Sequence, residues 1–374
     1  MSKYNAVKLL VLIMPLLFFA GRASADNWYD TIKIKGDLRY RHEMRKTGDN
    51  DPEHRQRLRA RLAITGKVSP EIDATVQFAT GSTDPVSTNQ TLTGSFSSKD
   101  VRLDMAYFEY KPVKAPGVSI KGGKFHNPFF KPGSSELIWD SDMNPEGGAI
   151  NYTQAFDNVT LNLIGAGLWI EERSKGNDSY LAAFQGVSHF NFNEKKTSIA
   201  VGGSFFNYVN TNGYPVFFDP EDPMGNTAVE VTSGESSYFT YAEDFELFEA
   251  MGELTHHFAP VPVTVMGDYV TNTAADSLNT GWLLGIKIGK AKKQGSWGVR
   301  YIYRRVEKDA VIGMFTDSDF RNGGTDGKGH EFGGSYMLSD NAAFDFTYFI
   351  NQTGLQQASL TDFSRMQIDL QLKF

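Results

Sequence analysis

The stretch HRQRLRARLAI, residues 54–64, alternates cationic and apolar side chains. The alternating members are Arg55, Arg57, Arg59 and Arg61 on one side, and Leu58, Ala60, Leu62 and Ile64 on the other. Successive side chains of a strand point to opposite faces, so an extended chain would carry four cations on one face. Alternate residues of a strand lie about 6.6 Å apart, within a Debye length, so these cations repel one another. They therefore need water, counter-ions or facing acids.

A membrane β-barrel with a wet interior satisfies both faces of this stretch. An arginine that faces lipid at mid-membrane costs about 2–4 kcal/mol, so four would cost on the order of 8–16 kcal/mol. That is comparable with the whole stability of a domain, roughly 5–15 kcal/mol. The pattern predicts that the arginines face a water-filled lumen and that the apolar side chains face lipid. A barrel of about sixteen strands is wide enough to hold water.

The same period of two recurs along the chain and predicts sixteen antiparallel strands. The first four are residues 31–43, the quoted stretch, 71–81 and 100–110; the others begin near Val118, Gly147, Val159, Ser179, Thr197, Asp244, Val261, Gly281, Ser296, Gly329, Ala342 and Asp362. Single-chain bacterial outer-membrane barrels have an even number of strands. We therefore predict an all-β, membrane-spanning, up-and-down β-barrel.

The connections between these strands alternate in length. Counted from a periplasmic N-terminus, the extracellular connections would be residues 44–54, 82–99, 126–146, 172–178, 210–243, 272–280, 309–328 and 351–361. Nearly all of them are longer than the connections that alternate with them, such as 67–70. Long extracellular loops and short periplasmic turns are typical of outer-membrane barrels, whereas a soluble β-sandwich has no reason to alternate in this way.

The N-terminal segment predicts export. Lys3 and Lys8 give the N-terminus a positive charge. The apolar run that follows, residues 9–20, is too short to span a bilayer as a helix. Ala23-Ser24-Ala25 fits the cleavage site of a signal peptide. We predict a signal peptide over residues 1–25 and a barrel domain over residues 26–374, located in the bacterial outer membrane. A buried N-terminal helix is the alternative. The net charge of −7 argues against a nucleic-acid partner.

The C-terminus predicts how the barrel is assembled. RMQIDLQLKF, residues 365–374, alternates apolar and polar residues and ends on Phe374. Such a strand is similar to the terminal strand of outer-membrane proteins, which the barrel-assembly machinery binds. On a water-exposed edge it would promote aggregation, so we expect it to pair with the first strand.

Charged residues on two parts of the chain predict a constriction. The basic residues expected to line the pore are Arg39, Arg41, Arg55, Arg57, Arg59, Arg61, Arg102, Arg300 and Arg304. The connection 126–146 is expected to fold inward, and its acids are Glu136, Asp140, Asp142 and Glu146. Acids on an inserted loop that face arginines on the wall would create a transverse field. The arginines could instead only pair with lumenal acids and line a wet interior.

Two motifs carry a family resemblance. GKFHNPFF, residues 123–130, is followed by LIWDSDMNPEG, residues 137–147. The pair resembles the bacterial "putative porin" family of outer-membrane channels. The resemblance implies a sixteen-stranded diffusion channel, often trimeric, with no settled substrate. The Gly-x-Phe-x-x-Pro-Phe core is also similar to one in phosphate-selective porins.

The sequence therefore predicts a channel for the passive diffusion of small hydrophilic solutes and ions. One alternative is a channel selective for anions such as phosphate or organic acids; another, from a different class, is a plugged barrel that serves as an adhesin or enzyme. The expected partners are outer-membrane lipids, lipopolysaccharide and two further copies in a homotrimer. We expect no cofactor, metal or catalytic activity: His256 and His257 point to opposite faces of a strand, and residues 316–329 lack the spacing of an EF-hand.

Overall fold

The computed structural model describes residues 31–194, 196–234 and 236–374. The predicted signal peptide, residues 1–25, lies outside the described residues. The chain divides into a short unit, Met1–Lys33, of which only residues 31–33 are described, and a second unit, Ile34–Phe374, which contains the barrel. In the described parts of the chain, no helix is long and apolar enough to cross a membrane.

One antiparallel sheet of seventeen strands contains the barrel, and the short strand Gln90–Thr91 is an addition to its sixteen long strands. The long strands are β1 Ile32–Thr47, β2 Glu53–Ser69, β3 Ile72–Thr80, β4 Val101–Tyr110, β5 Val118–Lys124, β6 Glu146–Ala155, β7 Val159–Glu171, β8 Ser179–Phe192, β9 Thr197–Val209, β10 Phe245–Phe258, β11 Val261–Asn272, β12 Thr280–Gly289, β13 Trp297–Val306, β14 Gly327–Ser339, β15 Ala342–Thr353 and β16 Thr361–Lys373. The prediction of sixteen strands is confirmed.

The barrel closes where β16 pairs with β1. The ladder runs from Asp37 opposite Lys373 to Thr47 opposite Phe363. Gly36 and Phe374 continue it with two backbone hydrogen bonds of 2.9 and 3.0 Å. A Cβ atom at Gly36 would lie 2.4 Å from the Phe374 ring, so the absence of a side chain lets the ring cover the strand. The terminal phenylalanine therefore completes the seam.

Burial alternates along the strands as the sequence pattern predicts. On β1, Arg39 and Arg41 are 8% and 6% exposed. The alternate residues Leu38 and Tyr40 are 37% and 46% exposed. On β2, Arg59 is buried and Leu62 is exposed. The cationic face of the opening stretch therefore lies inside the barrel, and its apolar face lies outside.

The long connections lie at one end of the barrel, which we call the loop end, and the short ones lie at the opposite end. The first long connection is residues 48–52, shorter than predicted because β1 continues to Thr47 and β2 begins at Glu53. We name three others by their ranges: loop 81–100, loop 125–145 and loop 307–326. A fourth, loop 210–244, contains the hairpin of Ala228–Ser233 and Ser236–Tyr241.

An apolar cluster lies inside the barrel. Its wall residues come from β6–β13 and include Ile164, Leu181, Phe206, Leu247, Met266, Leu283 and Val306. Its loop residues come from all four named loops and include Val86, Phe125, Leu137, Trp139, Phe217, Tyr241, Ile312 and Phe315. We call this part of the interior the packed sector. We call the arc from β13 through β16 to β1 and β2 the charged sector, and β13 borders both sectors.

Candidate functional site

Loop 125–145 lies against the inward faces of distant strands. The Phe130 amide donates to Gln185 Oε1 on β8 at 2.6 Å, and the Gly133 amide donates to Glu253 Oε2 on β10 at 2.7 Å. Lys287 on β12 donates to the Gly133 carbonyl. Because the loop leaves from β5 and returns to β6, these contacts require it to cross the barrel interior.

Loop 307–326 also lies inside the barrel, and the sequence reasoning did not predict this. Its residues 309–317 are all buried. The Asp140 amide donates to the Phe315 carbonyl at 2.8 Å, and the Ser318 amide donates to Asp140 Oδ2 at 2.9 Å. Thr316 Oγ1 donates to the Leu137 carbonyl at 2.8 Å. The two loops are therefore fastened to one another.

Three wall arginines bind the acids of loop 307–326. Arg304 on β13 lies 2.9 Å from Asp317, and Arg365 on β16 lies 2.6 Å from Asp319. Arg41 on β1 reaches Asp319 at 3.4 Å. Arginine forms such charge-assisted hydrogen bonds with carboxylates more strongly than neutral donors do. The loop is thus held against three strands of the charged sector.

The four arginines of the opening stretch are all paired with carboxylates. Arg59 and Arg61 lie 2.9 and 2.8 Å from Asp37, and both also reach Asp142 of loop 125–145, at 3.5 and 3.7 Å. Arg55 binds Glu43, which Arg57 reaches at 3.7 Å. These four arginines, which we call the arginine stripe, therefore pair with acids of the neighbouring strand β1 and of loop 125–145.

Arg39 and Arg41 differ in how closely they are paired. Arg41 makes two 2.7 Å hydrogen bonds to the two oxygens of Asp369. Arg39 approaches the same carboxylate only to 3.9 Å, and its closest acceptor is the neutral Asn89 Oδ1 at 2.6 Å. Its Nε has no hydrogen-bond partner among the described residues. Arg39 is therefore a buried cation that lacks a close counter-ion.

Of the other predicted basic residues, two lie in the interior and one lies at the rim. Arg300 binds Glu331 at 2.5 Å, and Arg304 binds Asp317 as described above. Arg102 pairs with Asp100 at 3.0 Å, and the two side chains are 45% and 70% exposed. Arg102 therefore stands apart from the interior arginines.

The four predicted acids also lie in different parts of the barrel. Glu136 and Asp140 lie between the two inward loops, and Asp142 lies against the arginine stripe. Glu146 pairs with Lys124 at 3.0 Å, with its side chain 61% exposed. The structure brings three of the four acids into the interior and leaves Glu146 at the start of β6.

A cavity of about 290 Å³ remains between the charged sector and the two inward loops. Its cationic lining residues are Arg39, Arg41, Arg59, Lys287, Arg300 and Arg304. Its acidic lining residues are Glu136, Asp140, Asp142, Asp317, Asp319, Glu331, Asp345 and Asp369. Both signs of charge are therefore present, and acids outnumber cations.

Three carboxyl groups at the junction of the loops have raised pKa values. Burial and the nearby Asp317 raise the pKa of Glu136 to about 8. Burial and the neighbouring acids Glu136 and Asp142 raise the pKa of Asp140 well above its usual range, and burial also raises the pKa of Asp317 despite Arg304. Oxygens of Glu136, Asp140 and Asp317 lie within 4.8 Å of one another. A metal ion bound there would compete with Arg304 for Asp317.

Two other loop acids are held in the charged form. Burial opposes this, but Arg59, Arg39 and Arg61 keep the pKa of Asp142 below its usual value. In the same way, Arg365 and Arg41 outweigh burial and lower the pKa of Asp319. The interior therefore contains firmly ionised acids beside the arginines and readily protonated acids between the loops.

Sequence reasoning missed several acids of this site: Asp37, Glu43, Asp317, Asp319, Glu331 and Asp369. Asp37 and Asp369 stand at inward positions of the predicted first and last strands, so the period of two could have found them. For loop 307–326 the available signal was the apolar run AVIGMF, residues 310–315, which is unusual in an exposed loop.

Solved structures share this fold at low sequence identity. OprB of Pseudomonas putida matches with a TM-score of 0.59 and 9% identity, covering 92% of this chain and 94% of its own. OmpF of Salmonella typhi, in complex with daunomycin, matches with a TM-score of 0.55 and 10% identity, covering 92% and 97%. The fold is therefore a porin-type transmembrane β-barrel.

The sequence itself defines the family. Residues 47–218 and 219–374 match the family described as "putative porin", so the chain belongs to that family. The resemblance that the two loop motifs indicated is confirmed. No curated protein matches the sequence.

Proposed function

We propose that the protein forms a water-filled channel through the bacterial outer membrane for passive diffusion of small hydrophilic solutes and ions. The observation that carries the proposal is the charged sector, where ionised side chains of six strands face a cavity inside a closed barrel. A dry interior does not favour this many charges, because the desolvation of two buried ions can cost more than their pairing returns, whereas water reduces that cost. Family membership supports a channel and not an enzyme.

The pairing of the arginines favours weak ion selectivity over strong anion selectivity. In the cavity lining, eight acids face six cations, and most of the guanidinium groups already have a carboxylate partner. Fixed charge of one sign is what gives a pore strong preference for the opposite ion. The anion-selective alternative would need arginines free to bind the permeating ion.

The packed sector favours one other candidate, a plugged barrel. Twenty-nine buried residues from the wall and four loops fill part of the interior with apolar groups. If they closed the lumen completely, the protein would serve as an adhesin or an enzyme and would not conduct.

Conductance of the purified protein in planar bilayers separates these functions. We expect a steady ohmic current in KCl with a mild ion preference. A small current that one anion blocks at low concentration would favour the anion-selective channel. Absence of any current above the bilayer alone would overturn both channel functions and leave the plugged barrel.

We further propose that the protein is a homotrimer in contact with outer-membrane lipids and lipopolysaccharide, and that the barrel-assembly machinery binds β16. A solved structure of OmpT, an outer-membrane protein of Vibrio cholerae, is described as a trimer form and matches with a TM-score of 0.51, at 12% identity and covering 92% of this chain and 100% of its own. The covering of Gly36 by Phe374 supports a role for the C-terminus in closure. Cross-linking in native membranes tests the trimer; a product of only monomer mass would contradict it.

A further inference from the structure

Most charges that line the 290 Å³ cavity are already neutralised by a partner. Arg41, Arg59, Arg300 and Arg304 each have a carboxylate oxygen at 2.9 Å or closer. These pairs hold the wall and the loops together. A ligand that competed for them would have to break contacts on which the site itself depends.

Arg39 is the guanidinium of this lining that has no such partner within the described residues. It is 8% exposed, its nearest carboxylate oxygen is 3.9 Å away, and its Nε has no acceptor. The other unpaired cation of the lining, Lys287, donates to the Gly133 carbonyl of loop 125–145. A buried donor without an acceptor costs free energy, so a carboxylate that completes the bonding of Arg39 would bind there favourably.

On the acidic side, Asp345 of β15 accepts a hydrogen bond from Ser335 Oγ and forms no ion pair among the described residues. The two loop acids of the lining without an ion pair are Glu136 and Asp140. In the described part of the chain, both side chains accept hydrogen bonds only from uncharged donors. Glu136 accepts from the Ser141 amide at 3.1 Å. Asp140 accepts from the Asp142 and Ser318 amides at 2.8 and 2.9 Å. Among the described residues, neither forms an ion pair. Asp317, close to both, has Arg304 as its partner. Arg304 also donates to the Glu136 backbone carbonyl at 3.1 Å, so the nearest cation is already engaged and neither carboxyl group has a cation of its own.

The two unmatched groups select the charge type of a ligand. A simple anion would satisfy Arg39 but would offer no cation to the two acids. A simple cation would satisfy the acids and leave Arg39 Nε buried without an acceptor. A molecule that carries both an ammonium and a carboxylate group satisfies both sides at once, and a volume of about 290 Å³ is at the lower end for small-molecule sites.

We propose that this cavity binds a zwitterion, a free amino acid or a short peptide, with its carboxylate at Arg39 and its ammonium group at Glu136 and Asp140. The proposal rests on the channel function and names the class of solute that the cavity recognises. Because burial raises the pKa of both acids, protons compete with the ammonium group for them, and binding weakens as the pH falls.

The test is titration of the KCl current of the full-length protein in planar bilayers with three matched probes. L-Alanine carries both charges, propionate carries only the carboxylate, and ethylammonium carries only the ammonium group. We expect L-alanine to reduce the current with saturation at a concentration at least about tenfold below that of either singly charged probe, as one additional charge-assisted hydrogen bond predicts. Equal effects of all three probes would overturn the proposal.

Substitutions locate the effect. Arg39→Gln and Asp140→Asn should each weaken block by L-alanine about tenfold or more, and Arg39→Lys should retain part of it. Arg102→Gln and Glu146→Gln, at the exposed rim, are matched controls and should leave it unchanged. Glu136→Gln is a second acid variant in case Asp140→Asn does not fold. Unaltered block in Arg39→Gln, or equal loss in the rim controls, would refute the site.

Failure of this proposal differs from failure of the channel function. A wild-type protein that conducts KCl but shows no saturable block by L-alanine keeps the channel and refutes the zwitterion site. A folded wild-type protein that does not conduct refutes the channel, and the zwitterion proposal falls with it.

Discussion

The charged and packed sectors lie in one barrel and solve the problem of a wide interior in different ways. In the charged sector, wall arginines bind acids from neighbouring strands and from loops, as Arg41 binds Asp369 and Asp319. In the packed sector, apolar side chains of the wall meet apolar side chains of the loops, and Trp139 stacks between Phe129 and Phe315. The first arrangement keeps a polar cavity, and the second fills space.

The difference shows that the inward face of a barrel strand does not have one chemical character. On β8 and β9 the inward residues Leu181 and Phe206 are as apolar as those that face lipid. These strands can be apolar on both faces only because loops cover the inner one. The loops that fill the packed sector also carry Asp142, Asp317 and Asp319 to the arginines, so one sector positions the acids of the other.

Truncation in the packed sector should have the largest effect on stability. Trp139 is 2% exposed and contacts three further aromatic rings besides Phe129. Trp139→Ala should lower the free energy of unfolding by about 3–5 kcal/mol because it leaves a cavity in the apolar cluster. Urea unfolding in lipid vesicles, followed by circular dichroism, measures this. Trp169→Ala, at a side chain 70% exposed, is the control; an equal loss there would contradict a distinct packed sector.

Breaking the arginine contacts of loop 307–326 should have a smaller effect. Asp319→Asn removes the charge that Arg365 and Arg41 share, but Arg41 keeps Asp369 and Arg365 keeps the Ser318 carbonyl. We expect a loss of about 1.5–3 kcal/mol in the same unfolding assay, as for one hydrogen bond between charged groups. Asp100→Asn tests the exposed pair with Arg102, which should cost at most about 1 kcal/mol. A loss at Asp319 no larger than this would mean that the loop is held by apolar contacts alone.

Ion preference should depend on pH through the acids between the loops. Since the pKa of Glu136 is about 8, this group gains a proton as the pH falls from 9 to 6, and burial raises the pKa of the adjacent Asp140 as well. The cavity lining then loses negative charge, so the reversal potential in a KCl gradient should shift in the direction of greater anion preference. Glu136→Gln should reduce the shift. A reversal potential that stays constant over this range would contradict the position of Glu136 beside the permeation path.

The smallest predicted change follows from the opening stretch. Replacing Arg57 and Arg59 together by serine removes two cations, while Glu43 keeps Arg55 and Asp142 keeps Arg61 as partners. The reversal potential should move toward cation preference by a modest amount. Arg102→Ser, at the rim, should leave it unchanged. Equal reversal potentials in these variants would mean that Arg57 and Arg59 do not face the permeation path.

The sequence predicted the barrel well because its physics is local. Strict alternation in residues 54–64 and 365–374 assigns each side chain to one of two faces, since successive residues of a strand point oppositely. The sixteen strands begin within a few residues of their predicted starts. Strand ends were less accurate: β1 runs to Thr47 where we predicted residue 43, because hydrogen bonding to β16 continues past the last clear alternation.

The candidate site could be predicted only in part. Arg39, Arg41 and the four arginines of the opening stretch were assigned to the interior from strand period alone. Arg102 was assigned to the same wall, but β4 begins at Val101, so this side chain lies at the loop end. Which carboxylate each arginine meets could not be predicted, because partners such as Arg41 and Asp369 are 328 positions apart in the chain.

The sequence by itself thus determined a closed membrane barrel with a basic stripe inside it, because strand period and the cost of a charge in lipid leave few alternatives. Only the tertiary structure decided that loop 307–326 enters the interior, that four of the five arginines in the described cavity lining have a close carboxylate, and that Arg39, Glu136 and Asp140 have no close ion-pair partner. Those outcomes depend on how loops fold across the barrel. Loop paths are set by packing between residues distant in sequence, so the apolar run of residues 310–315 indicates a buried loop but not the residues against which it packs.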